Sequence, residues 1–239
     1  MDAEMAGTNE PHYKSEALGV LLYFGVYLVY LCFSLENEFL HWLSLVIVPF
    51  FGLYLYQRWM IPSWNFRASL SSVGLEKGRA RNGIVWAIII GLALSGLQLF
   101  LSRNKNQILE VLVSRKVFFL FPLSLILMLF LAGFTEEFFF RGVMQTRLQR
   151  LFRSNAAAVV VTSLLFGLYH LPYAFLNPRW PSHGNWPDAF AASFGQGVPM
   201  GLILGALYVR TKNNLVVCVV VHALINSFPG MLMIKIGAG

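Results

Sequence analysis

The sequence predicts an all-α protein, a polytopic bundle of about seven or eight transmembrane helices. Two observations support this prediction. Of the 239 residues, 57% are hydrophobic and only 12% are charged, whereas a soluble domain carries roughly 25% charged residues. The mean hydropathy is +0.63, and the apolar residues fall into runs long enough to cross a membrane. Such a chain cannot cover a water-facing surface with polar groups, which excludes soluble enzymes and disordered proteins.

Seven apolar runs account for the predicted membrane helices. They occupy residues 17–33, 39–56, 83–101, 117–134, 156–175, 194–209 and 215–228. Residues 102–116 hold apolar side chains at helical spacing, which is typical of an interfacial helix. No stretch between the runs is long enough for a separate water-soluble domain. We therefore expect residues 1–239 to form one membrane-embedded domain.

The formal net charge of +7 indicates how the chain is oriented in the membrane and which partners it binds. No basic run is interleaved with stacking aromatic residues, so a nucleic-acid partner is not expected, and the basic excess instead favours contact with anionic lipid. With the N-terminus inside, eleven Lys and Arg residues lie in cytoplasmic segments and six in outer segments. Since cytoplasmic segments carry the basic excess in membrane proteins, we expect an integral protein of the cell membrane with a cytoplasmic N-terminus.

These basic residues fall into two sets. The cytoplasmic set is Lys14, Arg58, Arg67, Lys77, Arg79, Arg81, Arg147, Arg150, Arg153, Arg210 and Lys212, and the outer set is Arg103, Lys105, Arg115, Lys116, Arg179 and Lys235.

The two cysteines, Cys32 and Cys218, lie in apolar runs without the spacing of metal ligands. We expect them to be buried apolar residues and not a disulfide.

Ionisable residues inside an apolar run need an explanation, because each costs about 2.5–3.5 kcal/mol to insert at the centre of a membrane helix. Glu136, Glu137 and Arg141 interrupt the aromatic stretch FTEEFFFR. In a helix, Glu137 and Arg141 meet four residues apart on one face, whereas Glu136 points about 100° away. The spacing predicts one carboxylate neutralised by Arg141 and one carboxylate left free for other work.

The alternative is that these charges only end the membrane span at the cytoplasmic interface. Arg147, Arg150 and Arg153 resemble an interface anchor, and on this basis Arg147 is predicted to tolerate replacement by Ala without appreciable loss. Glu136 lies eleven residues, or about 16 Å of helix, deeper in the predicted span than Arg147. This distance argues against the alternative for Glu136. That distance is about half of a ~30 Å hydrocarbon core.

Two histidines reach a similar depth on other helices. His222 lies nine residues, about 13 Å of helix, from the polar end at Asn213, and His170 lies about 22 Å from the polar end at Asn155. Asn226 follows His222 by four residues, so it shares the same face. Three predicted helices thus place a carboxylate, two imidazoles and an amide at a similar depth in the membrane. This arrangement predicts a buried polar site.

These residue types suit the hydrolysis of an amide by an activated water. A carboxylate with a histidine can deprotonate water and later protonate a leaving amine, while a second histidine and an amide can stabilise the developing oxyanion. No Ser or Cys lies beside a base as a nucleophile pair. A zinc ion held by Glu136, His170 and His222 also suits this set of residues, although the H-E-x-x-H zinc helix is absent.

Three short motifs resemble those of one protein family. They are EExxxR at residues 136–141, FxxxH at 166–170 and HxxxN at 222–226. In this order they are similar to the motifs of the type II CAAX prenyl endopeptidases, the CPBP or ABI intramembrane proteases that include the Ras-converting enzyme. The resemblance covers residues 117–228, the expected motif-bearing core. It implies a membrane-bound endopeptidase acting on a peptide or a prenylated protein.

The resemblance also implies catalytic roles for four residues. Glu136 and His170 would activate the water, and His222 and Asn226 would form the oxyanion hole. The family is best described as using a glutamate-activated water without a metal, so no cofactor is expected, and zinc is the alternative.

Three further residues are implied to support this site. Glu137 and Arg141 would be the supporting ion pair, and Phe166 would pack beside the catalytic groups. The competing hypothesis is a non-proteolytic membrane scaffold, immunity factor or transport-associated protein that retains the polar site for binding.

Overall fold

The chain folds into a series of helices joined by short connections. The computed structural model describes residues 10–33, 38–76, 83–102, 104–178 and 180–234. Within these ranges there is no strand, as the sequence predicts, and nine continuous helices are present. They are α1 (Glu10–Phe33), α2 (38–60), α3 (Phe66–Ser72), α4 (Ile84–Leu101), α5 (Lys105–Val113), α6 (Val117–Phe152), α7 (Asn155–Leu176), α8 (Trp186–Arg210) and α9 (Leu215–Met231).

Six helices are long and apolar enough to cross a membrane: α1, α2, α4, α6, α7 and α8. Helix α9 is a shorter apolar helix of 17 residues. Helix α5 falls within the segment 102–116, where an interfacial helix is predicted, and the apolar run predicted at 117–134 is the first half of the much longer α6. The chain is therefore an integral membrane protein built as a polytopic helical bundle.

Helix α9 is the most buried helix of the bundle and packs against α4, α6 and α8. Small residues permit this packing. The side chain of Leu224 on α9 fits against Gly91 of α4, and Ala223 lies beside Gly133 of α6. Lipid tails give helices no hydrophobic reason to associate, so close van der Waals packing at small residues must hold them together.

A stripe of glycines brings α8 close to α7. Gly197, Gly201 and Gly205 are spaced by four residues and so share one face of α8. A methyl group added at Gly201 would lie 2.9 Å from the Cα atom of Ser163, and one added at Gly197 would lie 3.2 Å from the Cα atom of Gly167. The two backbones therefore approach each other as in other membrane helix pairs with GxxxG spacing.

Helix α6 changes its backbone hydrogen-bonding pattern on both sides of one turn. π-helical stretches at Leu129–Phe134 and Phe138–Gln145 flank the single α-helical turn Thr135–Glu137. The Thr135 hydroxyl donates to the carbonyl of Leu131 at 2.8 Å, as threonines in membrane helices often do. Short π-helical stretches are frequent at functional sites, and the two stretches of α6 flank the turn that carries both glutamates.

Arg147 is buried in the structure, so its predicted role as an interface anchor is wrong. Its side chain is 1% exposed, and its Nε atom lies 3.4 Å from Oε2 of Glu16 on α1. Its guanidinium also donates to the carbonyls of Ser72 and Gly142 at 3.2 and 3.0 Å. Gln57 of α2 donates to the other oxygen of Glu16 at 3.0 Å. Nothing near Arg147 in the sequence reveals this partner, because α1 meets α6 only in the folded bundle.

Replacement of Arg147 by Ala should destabilise the protein strongly. Breaking a buried ion pair from one side leaves an uncompensated charge, and comparable pairs lose about 3–5 kcal/mol. We expect Arg147→Ala to lower the midpoint of thermal unfolding in detergent. Arg210→Ala, at an exposed position, is the matched control. If the two variants melted together, the buried pair would contribute nothing to stability.

Candidate active site

The two adjacent carboxylates of α6 have different partners. Oε1 of Glu137 accepts hydrogen bonds from Nη1 of Arg141 at 2.8 Å and from Nδ1 of His222 at 2.7 Å. Oε2 of Glu136 instead lies 3.8 Å from Nε2 of His170 and 3.8 Å from Nε2 of His222. One carboxylate is thus neutralised by Arg141, and the other faces the two histidines.

The side chain of Arg141 is buried inside the bundle. Its side chain is 1% exposed, and its Nη2 atom donates to the carbonyl of Gly201 on α8 at 3.5 Å. Its guanidinium carbon lies 4.6 Å from the centre of the Phe166 ring on α7, a favourable cation–π distance. Arg141 is therefore part of the packed interior, which argues against the alternative that this charge only ends the membrane span.

The hydrogen bonds at Nδ1 give the two histidines different properties. Nδ1 of His170 lies 2.8 Å from the carbonyl oxygen of Phe166. A carbonyl only accepts, so Nδ1 carries the proton and neutral His170 offers its Nε2 lone pair toward Glu136. Nδ1 of His222 instead donates to the Glu137 carboxylate, because a carboxylate only accepts. His170 is therefore arranged as a base, and His222 as a donor.

Phe166 packs against both imidazoles. Its ring centre lies 4.6 Å from that of His170 and 6.1 Å from that of His222, both in edge-on arrangements. Phe140 of α6 closes the other side at 4.9 Å. These aromatic contacts restrict the rotation of the histidine rings, so Nε2 of each ring stays directed at Glu136.

Asn226 lies one turn beyond His222 on α9 and is half-buried. Within the part of the chain that the structure describes, its amide has no hydrogen-bond partner. Oε2 of Glu136 likewise accepts no hydrogen bond from any described residue, although it is buried. Both groups are therefore available to a bound molecule.

His41 of α2 is a residue near the site that the sequence did not single out. Its Nε2 atom lies 3.0 Å from the Thr135 hydroxyl oxygen. The Thr135 hydroxyl already donates to a carbonyl of its own helix, so His41 is the donor in this contact. Since Thr135 directly precedes Glu136, helix α2 helps to position the turn that carries the carboxylates. The signal in the sequence was a single histidine near the start of an apolar run, which is weak by itself.

The three groups considered as zinc ligands do not fit that metal closely. Ligand atoms on a tetrahedral zinc lie about 3.4 Å apart, whereas the distances from Oε2 of Glu136 to the two Nε2 atoms are both 3.8 Å. Among the described residues, no group of three or more His, Cys, Asp or Glu side chains has the arrangement of a metal site. We therefore assign no catalytic step to a metal.

Fold and site together define an integral membrane protein with a buried centre of two glutamates, two histidines and an arginine. Residues 117–228 match the family model of the type II CAAX prenyl endopeptidase Rce1-like proteins. All three motifs lie within the matched stretch, so the match confirms the resemblance. It indicates a membrane protease of the CAAX type. No curated protein and no solved structure gives a match.

Replacement of Arg141 by Lys should destabilise the protein although the charge is kept. Lys cannot reproduce the planar fork that contacts Glu137 and the Gly201 carbonyl, and Arg141→Ala removes the cationic partner of buried Glu137, a change that costs about 3–5 kcal/mol in comparable pairs. We expect thermal midpoints in detergent to fall in the order wild type, R141K, R141A. Arg210→Lys, at an exposed position, should melt like wild type. An R141K protein as stable as R210K would show that the fork contacts are unimportant.

Proposed function

We propose that this protein is an intramembrane endopeptidase that hydrolyses a peptide bond with a water activated by Glu136 and His170. The observation that carries the proposal is the 3.8 Å separation between Oε2 of Glu136 and Nε2 of His170. Both atoms are acceptors, and polar groups at such a distance are commonly bridged by water. A water at this point donates one proton to each group and keeps a lone pair for attack.

The reaction then follows from the position of each group. As the water oxygen bonds to the carbonyl carbon, Glu136 accepts a proton from the water, and the carbonyl oxygen becomes an oxyanion. Nε2–H of doubly protonated His222 and the free amide of Asn226 donate to that oxyanion. When the carbon–nitrogen bond breaks, the proton on Glu136 passes to the leaving amine. Glu137 and Arg141 hold the His222 ring in its donor orientation.

The proposed substrate is a peptide or a prenylated protein segment that reaches the site within membrane lipid. The family match supports CAAX-type processing, and the geometry of the site favours any peptide that can place its carbonyl over Glu136. Two peptides of one sequence, with and without the prenyl group, should be compared on the purified protein. Equal cleavage of the two would exclude a requirement for the prenyl group.

Variants of the water-activating pair test the proposed reaction. We expect Glu136→Gln and His170→Ala to lower the rate of peptide cleavage at least about 10²-fold, the usual range for loss of a general base. The thermal midpoint of Glu136→Gln should stay near that of wild type, because Oε2 of Glu136 has no hydrogen bond to lose among the described residues. Glu110→Gln, at an exposed position, is the matched control.

Full activity in either variant would contradict the proposal. A second measurement separates the protease from the scaffold, immunity or transport hypothesis. Cells that lack the gene should be complemented with wild type and with E136Q. Rescue by both proteins would show that the cellular role does not need the carboxylate, whereas rescue by wild type alone supports catalysis.

We also propose that the reaction does not use a metal. Protein purified in active form should contain well below one equivalent of zinc by elemental analysis, because the distances from Glu136 to the two histidines exceed those of a zinc site. Chelators can inhibit by other routes, so the metal content itself is the decisive measurement. About one equivalent of zinc, with activity that follows the zinc content, would contradict this expectation.

A further inference from the structure

The two glutamates of α6 are held in place in different ways. Oε1 of Glu137 accepts hydrogen bonds from Arg141 and His222, so side-chain bonds fix its orientation. Oε2 of Glu136 accepts no hydrogen bond from any described residue. The direction of Glu136 therefore depends on the backbone turn that carries it, and this turn begins at Thr135.

The backbone hydrogen-bonding pattern changes at Thr135. Its N–H donates to the carbonyl of Ala132, three residues back, whereas a regular α-helix would use Leu131. The Thr135 hydroxyl donates to the Leu131 carbonyl at 2.8 Å, and the Ala132 carbonyl lies 3.4 Å away as a second acceptor. A helix turns by about 100° per residue. A shift of the bonding pattern by one residue at this step would therefore turn Glu136 away from His170.

A contact from another helix fixes the Thr135 hydroxyl. Thr135 is fully buried, and Nε2 of His41 on α2 lies 3.0 Å from its hydroxyl oxygen. Because the hydroxyl proton is already directed at Leu131, His41 is the donor. The result is a chain of two hydrogen bonds, from His41 to Thr135 and from Thr135 to the Leu131 carbonyl, and bonds in such a chain strengthen each other.

Helix α2 is itself held at the level of this contact. The ring of Trp42 stacks on that of Phe134 in α6, with ring centres 5.4 Å apart and planes at 22°. From α1, the Tyr23 hydroxyl donates to the carbonyl of Ser44 at 2.6 Å. Consecutive residues of α2 thus contact consecutive residues of α6, and α1 supports α2 two residues further along.

From these contacts we propose that His41 is a positioning residue of the reaction. Through Thr135 it holds the turn in the conformation in which Glu136 faces His170. Nε2 of His41 is directed at Thr135, so its role is alignment and not proton transfer. The effect on cleavage rests on the proposed protease function, whereas the effect on the turn does not. Helix α2 lies outside residues 117–228, so the family match assigns no role to His41.

Replacements of His41 that keep or remove one donor test the proposal. Gln places an amide N–H near the position of Nε2, Asn places it closer to the backbone, and Leu has no donor. We expect H41L and H41N to lower kcat of peptide cleavage about tenfold or more, since a misplacement of about 1 Å can cost about 10²-fold. KM should stay unchanged, because alignment acts on the transition state. H41Q should keep most of the activity, and His183→Leu, at an exposed position, is the matched control.

Variants of Thr135 test the second bond of the chain and do not depend on the folding of H41L. Val has the shape of Thr without the hydroxyl, whereas Ser keeps the hydroxyl. We expect T135V to lose kcat like H41L and T135S to stay near wild type. The double variant H41L/T135V should be no slower than the slower single variant, because the two residues act as one unit. Wild-type kcat in H41L, equal losses in H41Q and H41N, or fully additive losses in the double variant would overturn the proposal.

Labelling at position 136 separates this inference from the proposed function. In a Cys32→Ser background, Glu136→Cys is treated with iodoacetamide in detergent, alone and combined with H41L or H41Q. The background protein shows whether buried Cys218 stays unreactive. The side chain of Glu136 is 11% exposed and that of Glu137 is 0% exposed, so a turn displaced by loss of His41 should bury position 136.

We expect labelling of E136C to be slower with H41L and unchanged with H41Q. Equal labelling rates in all three proteins would overturn the positioning role, even if wild type cleaves peptides. Absence of cleavage by wild type, together with slower labelling in the H41L protein alone, would refute the protease function but support the role of His41 in the turn.

Discussion

The site depends on one buried ion pair, between Glu137 and Arg141. A lone charge at this depth would be strongly destabilising, so each partner requires the other. Arg141 also contacts Phe166 on α7 and the carbonyl of Gly201 on α8, while Glu137 accepts from His222 on α9. A single pair within α6 thereby links the four helices that enclose the site.

This pairing gives two neighbouring glutamates different chemistry. Glu137 is committed to Arg141 and His222, and so it orients the His222 ring. Glu136 has no hydrogen bond from a described residue and faces His170, whose other nitrogen is held by a backbone carbonyl. A free carboxylate beside a neutral imidazole can accept a proton from water, whereas a carboxylate already bound by a guanidinium is a poor base. The proposed mechanism uses this difference.

The N-terminal helices lie outside the stretch that matches the family model, yet they contribute to its support. His41 of α2 donates to the residue before Glu136, and Glu16 of α1 pairs with Arg147 two residues beyond the π-helical stretch of α6. The glycine stripe of α8 sets the distance to α7 and brings the Gly201 carbonyl within reach of Arg141. The conformation of the turn that carries the two glutamates is therefore set by helices from both halves of the chain.

The sequence by itself determined the membrane bundle and the ion pair, because apolar run length and helical spacing are local properties of the chain. Glu137 and Arg141 meet on one helix face whatever surrounds them. The tertiary structure alone decided that Arg147 is buried, that His41 reaches Thr135, and that Nδ1 of His222 faces the carboxylate of Glu137. Each of these depends on contacts between residues far apart in sequence, and no local spacing encodes which helices will be neighbours.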